Sequence, residues 1–210
     1  MKIKNVGGIL GLASSLALIP SYGAEPGLFV TGSVGVNLVQ DINLPVAPPV
    51  NVVRLEFDPG LRGDATVGYT FFANPSIAIA AAGEVGFMYN SLDQGTGNGI
   101  TQKIDGEFFQ SPFLGKVLVT FMPDSNLSPY LSAGGGGLYS RMDIHSIGGT
   151  ITDTTGDETD PAFQAEVGLN YKIGDKAAIG LAYKFLEAFP DNDLDHFINH
   201  SVTVMFTANF

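Results

Sequence analysis

Seven charged residues are the side chains whose spacing could support chemistry in this chain. Each lies in a segment that alternates apolar and polar residues, on the face opposite the large apolar side chains. Both signs of charge on one face could form a gate or a proton-exchanging pair, or a packed network of salt bridges. The seven are three acids and four bases with a net charge of +1: Arg62, Asp64, Glu84, Lys116, Glu166, Lys172 and Lys184.

Counting residues back from predicted turns indicates which of these charges are neighbours. From the turn at Asn74, Asp64 falls level with Glu84, which gives a like-charge pair that a neighbouring base must bridge. From the turn that follows the sixth strand, Glu166 falls beside Lys184. We therefore expect a network in which bases separate the acids.

One nucleophile and one base also lie together, at Ser201 and His200. Neighbours on a strand point to opposite faces, so the two cannot form the Ser–His pair that acyl transfer requires. His145 and His196 lie in predicted loops, without a Ser at strand spacing. The acidic run 191–195 resembles the start of a calcium loop, but His196 stands where that loop requires Gly. A solvated acidic loop face is favoured, and a weak divalent-cation site with Asp153, Asp157, Glu158 and Asp160 is the alternative. No enzyme activity or cofactor is predicted.

The elements that must position the seven charges are strands. Residues 201–210 read S-V-T-V-M-F-T-A-N-F, which places an apolar side chain at every second position. A change of phase at Pro112 predicts a bulge or a strand start there. Alternation with a period of two predicts eight strands in all, at 28–38, 61–71, 77–89, 113–121, 130–142, 163–173, 179–185 and 201–210.

The connections between these strands alternate between long and short. The long ones are 39–56, 90–105, 143–161 and 187–199. The pattern predicts an all-β, eight-stranded antiparallel up-and-down transmembrane β-barrel, with long loops outside and both termini on the periplasmic side. A soluble lipocalin-like barrel is the alternative. Wide apolar faces, small residues on the other face and aromatics near strand ends favour the membrane barrel.

Because side chains fill so narrow a lumen, we favour the salt-bridge network over a gate.

The N-terminus has the layout of a secretory signal peptide. Lys2 and Lys4 precede the uncharged run 6–19, and small residues follow. We expect residues 1–23 to be removed, which leaves residues 24–210 as the barrel domain and changes the net charge from -11 to -13. Nucleic acid is excluded as a partner because phosphate contacts need clustered Lys and Arg. The chain has no Cys, so thiolate chemistry and disulfides are excluded as well.

One motif resembles a known family. Residues 128–136 read S-P-Y-L-S-A-G-G-G, similar to the Pro-Tyr-x-x-Ala-Gly-x-Gly strand of OmpA-like and opacity-type outer-membrane barrels, and residues 188–210 resemble their final loop and strand. The resemblance implies an integral protein of a diderm bacterium's outer membrane, in contact with lipids and lipopolysaccharide, and it does not imply an enzyme. It also implies that Phe210 is the signal recognised by the barrel-assembly machinery. No peptidoglycan-binding domain is expected.

These patterns predict a small barrel with a structural or surface-interaction role, such as adhesion or binding. Its long acidic extracellular loops would contact a host or surface ligand, since loops on rigid scaffolds commonly carry binding. The alternative is a narrow porin-like diffusion channel.

Overall fold

Backbone pairing closes eight strands into a ring in the computed structural model, which describes residues 26–45, 52–190 and 196–210. Every pairing is antiparallel, and the ring runs β4-β1-β10-β9-β8-β7-β6-β5 and back to β4. The predicted all-β, eight-stranded antiparallel barrel is confirmed. The ten strands are β1 Gly27–Val39, β2 Ile42–Pro45, β3 Val52–Phe57, β4 Gly60–Ala73, β5 Ile77–Gly97, β6 Ile100–Phe121, β7 Leu127–Ile147, β8 Thr150–Gly174, β9 Ala177–Ala188 and β10 Phe197–Asn209.

Two predictions fall partly or wholly outside the described residues. They are the signal peptide at 1–23 and the acidic run 191–195. Within the described residues, no helix is long and apolar enough to span a membrane.

Three segments predicted as long loops are instead largely strand, and those predictions were wrong. β5 and β6 extend through 90–105, and β7 and β8 extend through 143–161. Each pair ends in a two-residue turn, Asn98-Gly99 or Gly148-Gly149, with φ of 51° and 76° or 57° and 84°. Positive φ at both central residues is the conformation that tight hairpins favour. These segments are rich in Gly, Thr and Asp, a composition typical of loops, although they form long hairpins.

In the segment 39–56, the described residues likewise include two paired strands, β2 and β3, which run antiparallel. Leu55 of β3 lies opposite Gly95 of β5, so β3 continues the wall above β4. The Gln40 amide donates to the Ile198 carbonyl at 2.9 Å, which ties the residues before β2 to β10. The end of the barrel with these long hairpins is called the upper end below, and the end with the short turns the lower end.

The predicted bulge at Pro112 is also absent, because β6 keeps one phase throughout. Phe108, Leu114 and Lys116 are all buried on the inner face, and Pro112 lies between them on that face. What changes is the polarity of the faces. Glu107 points outward above the change, whereas Phe113 and Val117 are exposed on the same face below it. A reversal of polarity therefore resembled a change of phase.

This reversal divides the barrel into two zones. In the lower zone the outward residues are apolar, and Val34, Val67 and Val204 are each more than half exposed. In the upper zone the apolar residues point inward and form one core: Val39, Ile42, Leu55, Met88, Leu92, Ile104, Phe108, Leu114, Leu138, Ala162, Leu186, Ala188 and Phe197. Such a reversal is expected where the outer surface passes from lipid into water, because the apolar side chains must then be buried inside.

A first prediction concerns the core of the upper zone. The Phe108 ring lies 5.3 Å from that of Phe57 and 5.7 Å from that of Phe197, centroid to centroid. Phe108→Ala should cost about 3–5 kcal/mol locally, because it leaves a cavity at this contact. Limited proteolysis of the refolded protein should then cut the upper hairpins faster. The control is Phe109→Ala, which removes an outward, exposed ring. Equal protease lifetimes for the two variants would contradict this account of the core.

Candidate functional site

Six of the seven predicted charges meet in the lumen of the lower zone. Five strands of the ring bring them there from different sides, and each residue is at most 7% exposed. Each is placed there by the alternation of its strand, which turns every second side chain inward. The six, called the charged layer below, are Arg62 and Asp64 on β4, Glu84 on β5, Lys116 on β6, Glu166 on β8 and Lys184 on β9.

Glu84 lies at the centre of the charged layer. Its two carboxylate oxygens accept hydrogen bonds from five side chains, three of them cationic. The donor-to-oxygen distances are 3.3 Å from Arg62 Nη2, 2.8 Å from Gln164 Nε2, 2.5 Å from Lys116 Nζ, 3.1 Å from Lys184 Nζ and 3.1 Å from Thr66 Oγ1. A buried carboxylate is costly unless its lone pairs are satisfied, and those of Glu84 are.

Each base also bridges Glu84 to a second acid. Arg62 Nε donates to Asp64 at 3.0 Å, and Lys184 Nζ donates to Asp64 at 2.9 Å. Lys116 Nζ donates to Glu166 at 3.0 Å, and the Tyr130 hydroxyl donates to the other oxygen of Glu166 at 2.5 Å. Three acids and three bases therefore share one neutral network.

The pairing register differs in part from the counting made on the sequence. Glu84 lies opposite Thr66, and Asp64 lies opposite Gly86, so the two acids are not level. The turn after β4 is centred between Pro75 and Ser76, since Ala73 lies opposite Ala78, whereas the counting placed its centre at Asn74. The like-charge pair is thereby offset.

On the other side of the barrel, Glu166 does lie opposite Lys184. The Lys184 ammonium nevertheless reaches across the lumen to Asp64 and Glu84, because its side chain is long and Lys116 already holds Glu166. Cross-strand position alone therefore does not decide which charges pair.

Lys172 is not part of the charged layer. It lies six residues along β8 from Glu166, roughly 20 Å at the usual strand rise. Its side chain is half-buried in the lining of a cavity of about 210 Å³ that includes the short turns, at the lower end. Within the described chain it has no ion-pair partner. The net charge of +1 expected for the seven residues is thus the charge of Lys172 near the lower mouth, because the six residues of the charged layer are neutral together.

An amide layer closes the lumen above the charges. Asn37 Nδ2 donates to the side-chain oxygens of Asn90 and Asn199, at 2.9 Å each. Ser201 links the two layers, since its hydroxyl donates to Asn37 at 2.7 Å and accepts from Arg62 Nη1 at 3.3 Å. The apolar core of the upper zone begins at this level, since its Leu186 lies opposite Asn199, and it continues toward the upper end. Three stacked layers therefore fill the lumen from its middle to its upper end.

Sequence reasoning missed the uncharged members of this network. Asn37, Gln164 and Ser201 are each 2% exposed or less, and Tyr130 is 3% exposed. All four lie on the inner face of their strands, so the period of two contained the signal. Polar residues at inward positions should be grouped with the charges there.

Ser201 and His200 lie on opposite faces of β10, as the alternation requires. Ser201 is buried in the lumen, whereas the His200 ring faces outward with Nδ1 2.7 Å from the Tyr183 hydroxyl. Phe210 ends the outer face of the same strand, exposed at the lower end, and its amide donates to the Leu28 carbonyl at 2.8 Å.

A family comparison agrees with this architecture. The family model described as outer membrane protein beta-barrel domain matches residues 9–210. The chain belongs to this family. It is an integral barrel of the outer membrane of a diderm bacterium, and the resemblance to outer-membrane barrels is confirmed. No curated relative matches the chain.

Solved structures share the fold at low sequence identity. Neisserial surface protein A, NspA, is 14% identical with a TM-score of 0.58, over 90% of this chain and 99% of that one. Ail, the attachment invasion locus protein of Yersinia pestis, was solved with the heparin analogue sucrose octasulfate. It is 13% identical with a TM-score of 0.50, over 88% of this chain and 99% of Ail. Both likenesses concern the fold alone.

A second prediction concerns Glu84. Glu84→Ala leaves three buried bases facing two acids, so it should lower the free energy of unfolding by about 3–5 kcal/mol. Urea-dependent unfolding in lipid bilayers would measure the loss. The matched variant is Lys172→Ala, which removes a lumen charge outside the layer and should stay within about 0.5 kcal/mol. Similar losses in both variants would show that the layer is not a cooperative unit.

Proposed function

We propose that the protein acts at the cell surface as a binding or adhesion barrel, with a structural role in the membrane. The distribution of its acids supports this most directly. The four upper connections, 40–59, 90–107, 139–161 and 187–199, contain fifteen of the 21 acidic residues and three of the ten Lys and Arg residues. They therefore have a net charge of -12. We place this end outside the cell and both termini in the periplasm.

The upper hairpins hold their charges on paired strands. Arg141 Nε donates to the Asp143 carboxylate at 2.9 Å, and the Thr155 hydroxyl donates to it at 2.6 Å. These hydrogen bonds lower the pKa of Asp143, so the carboxylate is charged at neutral pH. Arg54 on β3 pairs with Asp41, next to β2, in the same way. Fixed charges on a packed scaffold suit recognition better than charges on free loops, because less conformational entropy is lost on binding.

The sign of the charge favours a cationic ligand. The Ail structure contains a sulfated heparin analogue, which is a polyanion. A surface with a net charge of -12 repels polyanions, so a similar fold would serve a ligand of opposite charge here. Lysine-rich or arginine-rich protein surfaces have the complementary chemistry.

A third prediction tests this surface. A lysine-rich peptide should bind the protein in lipid nanodiscs, and the affinity should fall steeply with salt, whereas heparin should not bind. The triple variant Asp93→Asn, Asp105→Asn and Asp157→Asn should weaken binding at least tenfold. Surface plasmon resonance would measure both. The control is Asp124→Asn with Asp175→Asn, which neutralises acids at the lower turns. Equal weakening by the control, or tight binding of heparin, would count against a cationic surface ligand.

The narrow diffusion channel remains the second candidate, and the packed lumen argues against it.

A fourth prediction follows from the layers of side chains in the lumen. Planar-bilayer recording of the refolded protein should show rare, small or no openings, because an eight-stranded lumen has little room beyond its side chains. Glu84→Ala should increase the openings, since it removes the acceptor that holds three bases together. Steady, large conductance of the unmodified protein would place the channel first.

Two further roles belong to this proposal. The exposed apolar band supports contact with outer-membrane lipids and lipopolysaccharide, and the exposed ring of Phe210 supports recognition by the barrel-assembly machinery. We propose no catalytic activity, because Ser201 and His200 lie on opposite faces of β10.

A further inference from the structure

The lumen contains a cavity below the charged layer. Its volume is about 210 Å³, and Lys116, Glu166 and Lys184 of the charged layer bound it above. At about 30 Å³ each, about seven water molecules would fill this volume. The lining continues down to exposed residues of the short turns, such as Asp175, so the cavity opens at the lower end. It is called the lower vestibule below.

Short side chains create this space. β5 contributes Ala78 and Ala80 to the lining, and β9 contributes Ala178. Nearer the charged layer a large side chain takes the room that a small residue leaves, since the Tyr130 ring lies against Gly168 where an added Cβ atom would collide with it. No such ring covers these three alanines in the described structure, and the lumen stays open beside them.

Lys172 supplies a cation to the lower vestibule. Its half-buried side chain lines the cavity, and Ala178 lies opposite it on β9, so the neighbouring strand places no acid beside it. Lys116 and Lys184 also line the cavity, but acids of the charged layer hold both ammonium groups. Lys172 is thus the lumen cation that can pair with an anion entering from below.

Asn170 supplies a hydrogen-bond acceptor beside this cation. It lies two residues from Lys172 on the same inward face of β8, about 7 Å away at the usual strand rise. Its Oδ1 atom is buried without a hydrogen-bond partner in the described structure, which is costly for a polar group. Rotation about its last side-chain bond turns this atom toward the cavity that Asn170 lines. The two side chains together offer a donor for an anion and an acceptor for a hydroxyl group.

The rest of the lining indicates the class of ligand. One ammonium group matches one carboxylate, whereas a phosphomonoester carries nearly two negative charges at neutral pH. Thr120 on β6 and Thr70 on β4 present hydroxyl groups on other parts of the wall, and β4 lies across the ring from β8. A ligand that reaches from Lys172 to that wall meets hydroxyl groups along its length, so it needs polar groups of its own.

We propose that the lower vestibule binds a small hydroxylated carboxylic acid. Lys172 pairs with its carboxylate, and Asn170 accepts a hydrogen bond from one of its hydroxyl groups. The site lies at the end that we place in the periplasm, so it is separate from the surface-binding role proposed above. Because the charged layer and the amide layer close the lumen above the site, the ligand is held there and does not pass through.

A fifth prediction uses sodium gluconate as the probe and sorbitol as the neutral polyol of the same chain length. Gluconate should bind the refolded protein in lipid nanodiscs with a Kd in the millimolar range, as expected for a small solute with few contacts. Sorbitol should bind about tenfold more weakly or less, because it lacks the charge. Titration followed by amide NMR measures both affinities, and the shifts should fall on the lower lining, at residues such as Thr120 and Asn170.

Variants separate the site from general attraction. Lys172→Met should weaken gluconate binding about tenfold or more, whereas Lys172→Arg should keep it. Lys103→Met makes the same change in net charge at the upper end and should have no effect. Ala178→Leu should also weaken binding, since it fills the cavity without changing the charge. Asn170→Leu should weaken binding of gluconate but not of hexanoate, which has no hydroxyl groups.

Three results would overturn the inference. The first is no binding of gluconate, or equal binding of gluconate and sorbitol. The second is an affinity that Lys172→Met and Ala178→Leu leave unchanged. The third is an equal loss in Lys103→Met and Lys172→Met, which would assign the binding to net charge and not to the lower vestibule.

Discussion

The structure depends on one constraint, which is that the lipid bilayer offers no water to form hydrogen bonds with backbone N–H and C=O groups. Within the apolar band, each N–H and C=O must find a partner in the protein, and only a closed ladder of strands provides one for all of them. The ring from β4 round to β5 meets this requirement. In such strands the side chains alternate between the lipid and the lumen, with a period of two. Polar side chains therefore lie in a narrow lumen, where a charge is tolerated only if it is paired.

The same constraint explains what the sequence could predict. The strands in the lipid zone have a continuous apolar face, so their alternation, their number and their short turns were recognisable. The upper zone lacks that signal. Its apolar residues, such as Ile104 and Leu138, point inward, and its outer face is made of Asp, Thr and Gly, which are typical of loops. At Pro112 the reversal of polarity was misinterpreted as a bulge for this reason.

For the site, alternation predicted which face each charge occupies but not which charges meet. Lys184 passes over its cross-strand neighbour Glu166 to reach Asp64 and Glu84, and Lys172 shares the lumen face without joining the layer. Such choices depend on side-chain length and on the residue at which a turn is centred. None of these has a local signature in the sequence.

Closure is required only where water is absent. Above the apolar band, water can satisfy an N–H or C=O that has no partner in the protein, without the cost that it would have in lipid. Inside the membrane, by contrast, the charged layer and the amide layer occupy the lumen, and their polar groups pair with one another. The proposed surface ligand therefore has to be recognised at the upper end of the barrel and not in the lumen. There the charge of the acids, rather than an apolar groove, selects the ligand.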